Sequence, residues 1–184
     1  MLDWFTVVIG VFALAALTMH GALFLQMKLD GPVAERCHNA ANIGWFGVVG
    51  VGALATVATF IVRPDMLTEV SRRPLSLVLA VGFIAALAYV KYGLGKKQQV
   101  APFVASALFI TCMLASTAAA VFPVMLRSTI SPAFDITAIT AHTGSLSMNV
   151  GGVVWVVGAV LAAGYFTYLF KTFGGKIKAG EFGH

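Results

Sequence analysis

His20 is the residue whose type and setting could do the most chemistry. It lies in the apolar run AALTMHGALFL, where an imidazole could ligate a haem iron, relay a proton, or hold a hydrogen bond between helices. Ionisable side chains inside a membrane span are uncommon and face protein rather than lipid. Haem ligation within a helical bundle needs ligands at matched depth on facing helices. His38 and His142 are the internal partners on offer. They fall at opposite interfaces, and neither lies at the depth of His20. The plainer reading of His20 is therefore a structural hydrogen bond. A proton or water path, and haem binding by His20 or His142, stand beside it as alternatives. Gly21, next in the chain, permits close approach by a neighbouring helix.

A second set of candidates lies in the stretch VFPVMLRSTISPAFDITAITAHTGSLSM, residues 121–148. Asp135 could serve a quinone or a proton, or organise its own loop by an Asx-type turn. Phe122 and Pro123 could gate a channel, or simply mark a helix end with an interfacial aromatic. Pro132 breaks the stretch a second time, and Ser145 reads as part of a helix N-cap region. Tyr165, Tyr168 and Phe170 suit a headgroup belt better than a quinone box. Cys37 and Cys112 form no CxxC pair and no metal spacing, so free thiols are expected. The chain has seven carboxylates, all at or beyond the ends of apolar runs. A proton pump would be expected to hold at least one within the bilayer.

These residues must be positioned by helices in a membrane. Of 184 residues, 59% are hydrophobic and 10% charged, against about 25% charged in soluble domains. An all-α membrane protein with about five spans is predicted, having a four-helix-bundle type core plus one additional helix. The expected spans are residues 4–28, 43–62, 75–92, 100–125 and 146–170, with an outward loop at 126–145 and one transmembrane domain over 1–184. Twenty-four residues of helix reach about 36 Å, enough for a hydrocarbon core about 30 Å thick. Residues 33–42 read as the interfacial start of the second helix. Residues 63–74 read as a polar connection. Gly44, Gly47 and Gly50, with Gly52 near them, give a stripe poor in side chains for tight packing. A phosphate loop is excluded there, because no strand precedes it and no Lys-Ser/Thr follows. Pro123 should bend or end the fourth helix.

The net charge of +5 does not indicate nucleic acid, because the basic residues sit at the ends of apolar runs. Eight lie on the side that holds the tail, including Lys28, Lys91, Lys96, Lys97 and Lys171. Four lie on the other side: Arg63, Arg72, Arg73 and Arg127. The positive-inside rule then puts the C-terminus in the cytoplasm and the N-terminus outward. Lys96 and Lys97 read as a solvated turn.

Two stretches carry a family likeness. One is LDWFTVVIGVFALAALTMHGALFLQMKLDGPVAERC, residues 2–37. The other is VFPVMLRSTISPAFDITAITA, residues 121–141. With its helix pattern in register across essentially the whole chain, the sequence resembles the C-terminal part of subunit II of cytochrome bd-type ubiquinol oxidases. The family subunit is about twice as long, and this chain resembles its last five spans. That implies a split gene, with a further chain supplying the missing N-terminal spans, or a half-length variant. Arg127 replaces a second proline of the family pattern, and His142 stands where the family loop is rich in Ser and Ala.

The resemblance implies the inner (cytoplasmic) membrane and a quinol-to-dioxygen respiratory oxidase. It implies haems b and d on the partner, subunit I. On this chain it implies no haem ligand, no metal and no catalytic residue, and it leaves a bound quinone or lipid open. The expected role is a non-catalytic structural and assembly subunit packed against the haem-bearing one. Two other readings stand against it. A stand-alone di-haem membrane cytochrome would bind haem by itself. A small transporter would need discontinuous helices around a water path.

Overall fold

The computed structural model describes residues 3–128, 130–141 and 144–175. Six α-helices are present among them: α1 (Trp4–Lys28), α2 (Pro32–Val62), α3 (Pro64–Arg72), α4 (Pro74–Gly95), α5 (Val100–Val121) and α6 (Ser145–Thr172). Five are long and apolar enough to cross a membrane, all except α3. Helices suit this solvent because they satisfy their own backbone groups internally. Proline opens α2, α3 and α4. Its missing N–H is no loss in a first turn, and its fixed φ is already helical. Gly31, between α1 and α2, has φ 73°, a backbone state that side chains disfavour.

The boundaries depart from the sequence reading in two places, each with a local cause. The polar connection expected at residues 63–74 contains a helix, α3, with apolar and charged residues on different faces. Its Glu69 pairs at helical spacing with Arg73, the residue just past its end, at 3.1 Å. The fourth span, expected to reach residue 125, ends at Val121. Pro123 cannot donate to a helix, and it disfavours helical backbone in the residue before it.

The described residues divide into two units, one up to residue 121 and one from residue 122 to residue 175. In the first, α1 packs along α2 and α4 along α5. Smaller contacts join α1 to α5 and α2 to α4, giving the four-helix core. Its centre holds Met19, Leu23, Val48, Val90 and Phe109 among several alanines. Small residues let the backbones approach, which matters in lipid because van der Waals contact rather than water exclusion drives helices together. Gly44 shows this: a Cβ there would lie 3.2 Å from Met19 Cβ. At Gly52 a Cβ would meet the Phe12 ring at 3.0 Å, whereas Gly47 and Gly50 meet nothing within 4 Å. The glycine stripe therefore packs at two of its four positions.

In the second unit, β1 (Val124–Leu126) pairs antiparallel with β2 (Ile136–Thr137). A 3-10 turn, Pro132–Phe134, lies between them, and α6 follows. No residue of α6 is buried.

Candidate functional site: the polar contacts between spans

His20 lies on α1 beside the buried Met19, and it is half-buried. Its Nδ1 is 2.7 Å from Ser106 Oγ on α5. That hydroxyl also reaches the Phe103 carbonyl oxygen at 2.7 Å. A carbonyl only accepts, and a hydroxyl has one proton. Both contacts are satisfied when Ser106 donates to Phe103 and His20 Nδ1–H donates to Ser106. In the neutral ring this leaves the lone pair on Nε2. The Phe103 ring stacks on the imidazole, with centroids 4.9 Å apart and planes at 21°. The geometry holds one orientation of the ring at a helix–helix contact.

Replacing Ser106 by Ala should weaken the α1–α5 contact by about 0.6–1.7 kcal/mol, the range for hydrogen bonds between spans. Unfolding free energies of the purified assembly, taken as a double-mutant cycle with His20→Phe, measure the coupling. A coupling energy near zero would show that the bond contributes nothing.

The other residues singled out from sequence fall in separate places. Within the four-helix unit, Gly21 has no atom within 4 Å of where a Cβ would stand. His38, on the opening turns of α2, makes no hydrogen bond or ion pair among the described residues. His142 lies outside the described residues. In the second unit, Asp135 Oδ1 accepts the Ser128 backbone N–H at 2.7 Å, so this carboxylate closes its own loop. The Pro123 carbonyl accepts Ala138 N–H at 2.8 Å, Phe122 is exposed, and Pro132 opens the 3-10 turn. Among the described residues, no three of His, Cys, Asp and Glu gather as a metal-ligand set.

Several polar contacts were not anticipated. Ser76 on α4 and Ser116 on α5, both buried, each donate to the other's backbone carbonyl at 2.8 Å. Arg73 donates Nη1–H to the Ala119 carbonyl at 3.1 Å, satisfying one of the orphan acceptors in the last turn of α5. Trp45 donates Nε1–H to the Leu87 carbonyl at 2.8 Å. Lys91 Nζ donates to Asn42 Oδ1 at 2.6 Å. Gln26 reaches the Gln98 carbonyl at 3.4 Å. Gln26 and Lys91 carry a legible signal, since a polar side chain near the end of an apolar helix needs a partner. The sequence alone does not say which.

The family model for cytochrome bd terminal oxidase subunit II matches residues 1–173. The chain belongs to that family. No curated protein matches it. It is thus a multi-pass membrane protein of the subunit II type, a membrane subunit of a quinol oxidase. The family implies a subunit I beside it. Both stretches that carry the likeness lie inside the matched region. In this subunit II, His20 is the polar contact between its first and fourth spans, and Asp135 is a loop acceptor.

Proposed function

We propose that this subunit is a non-catalytic scaffold, packing against the haem-bearing subunit and stabilising its assembly. On this reading haems b and d belong to subunit I, and the chain itself holds no haem ligand. The observation that carries it is the use made of polar groups within the spans. His20 Nδ1–H ties α1 to Ser106 of α5, and Ser76 and Ser116 tie α4 to α5. Such bonds tie helices together and set their register. A broad apolar exterior supports a packing role, including Trp155 and Leu161 on α6 at 73% and 68% exposure. The charge asymmetry supports an inner-membrane orientation with the C-terminus cytoplasmic and the N-terminus outward.

The test is His20→Ala in the assembled oxidase. Reduced-minus-oxidised spectra should retain the full haem b and haem d bands per assembled complex, and the chain purified alone should show no haem absorbance. A selective loss of one haem band from an intact His20→Ala complex would overturn the reading. So would a haem spectrum from the chain alone.

A further inference from the structure

Lys91 carries its charge about one turn inside the end of α4 at Gly95. Its Nζ donates to Asn42 Oδ1 of α2 at 2.6 Å. The same nitrogen lies 4.1 Å from the ring centroid of Phe46 and 5.2 Å from that of Trp45. Trp45 is itself pinned to α4 by its bond to the Leu87 carbonyl. The ammonium is thereby held in one place by a neutral amide and two ring faces.

An ammonium has three donors, and Asn42 takes one. Among the described residues no carboxylate forms an ion pair with Lys91. Ring faces attract a cation, but neither they nor the amide carry the counter-charge that a half-buried ammonium needs. The cluster lies at the surface, where Phe46 is 58% exposed. Tyr89 and Tyr92, on the same turn of α4 as Lys91, are exposed too. Trp and Tyr gather at the headgroup level of a bilayer. The missing counter-charge is therefore expected from the lipid, where phosphates lie at that depth.

We propose that Lys91, with Asn42, Trp45 and Phe46, forms a binding site for the phosphate of an anionic phospholipid headgroup. The two donors left on Nζ meet the phosphate oxygens, and Asn42 with the two rings fixes the ammonium that presents them.

The assembled complex, delipidated in maltoside, is titrated with phosphatidylglycerol, phosphatidylcholine or inorganic phosphate, and bound phospholipid is counted by native mass spectrometry. One tightly held phosphatidylglycerol should be lost in Lys91→Met, with affinity down about fivefold. It should return in Lys91→Arg and be unchanged in Lys96→Gln. Phosphatidylcholine should bind more weakly, and inorganic phosphate should not compete. Equal phosphatidylglycerol binding by the wild-type and Lys91→Met complexes overturns the proposal. Competition by inorganic phosphate also overturns it, assigning the site to a free anion. A partner carboxylate paired with Lys91 in an experimental structure does the same. If Lys91→Met does not assemble, Asn42→Ala keeps the charge but loosens its aim. A measurable loss of phosphatidylglycerol affinity there supports the site, and unchanged affinity overturns it.

Discussion

Phe109→Ala should destabilise the four-helix core by about 2–3 kcal/mol, below the about 3–5 kcal/mol that the same truncation costs in the core of a soluble protein. Phe109 is 1% exposed, the largest fully buried side chain among the described residues. Its ring meets Phe83 edge-on, with centroids 6.1 Å apart and planes at 73°. In a soluble protein, truncation would lose both the transfer of the ring from water and its packing. In a bilayer the separated helices are already in an apolar solvent, so the first loss is small. The second remains, because an unfilled cavity forfeits the dispersion contacts of every atom lining it. Unfolding of the purified assembly in mixed micelles measures the change. A loss below about 0.5 kcal/mol would mean that the core relaxes around the gap, against what close packing predicts.

Gly93→Ala should cost about 1–3 kcal/mol, the usual penalty for overpacking. A Cβ at Gly93 would stand 2.7 Å from Pro102 Cγ and 3.3 Å from its Cδ. Pro102 is fully buried on α5, and its ring cannot rotate away. Relief must come from α4 moving off α5, which strains the reciprocal Ser76–Ser116 bonds at the other end of the same helix pair. Gly95→Ala is the control, because nothing lies within 4 Å of a Cβ there. That variant should show no loss, since alanine is the better helix former. If the two substitutions behave alike, the close contact at Pro102 does not govern the pairing.

These two positions show how unevenly the fold could be read beforehand. The existence of the spans was plain, because continuous apolar length is itself the signal. Pro32 marked a helix start, since a residue without an N–H is tolerated best in a first turn; Pro64 and Pro74, which open α3 and α4, were read as part of a connection. Pro123 marked an end for the complementary reason, although α5 stops short of the boundary expected. The small helix α3 was missed, because nine mostly polar residues between two prolines read equally well as a connection. At the candidate site, His20 was visible as a misfit in an apolar run, and hydrogen bonding between helices was the expected role. Ser106 lies 86 positions away and shares its helix with Thr111, Cys112, Ser116 and Thr117. Nothing local distinguished it from Ser116, whose partner is Ser76.

The sequence by itself determined the solvent of this protein, the number and approximate limits of its spans, and, through two motifs about a hundred residues apart, its family. The tertiary structure alone decided which faces meet: His20 with Ser106, Ser76 with Ser116, Lys91 with Asn42, Gly93 with Pro102. The reason is physical. A helix in water shows its buried face by an apolar stripe, because its other face must be polar. A helix in lipid is apolar on both faces, so its periodicity does not say which side is protein. Partner choice then rests on small differences in side-chain shape and on a few polar groups, and these acquire meaning only once the helices are placed.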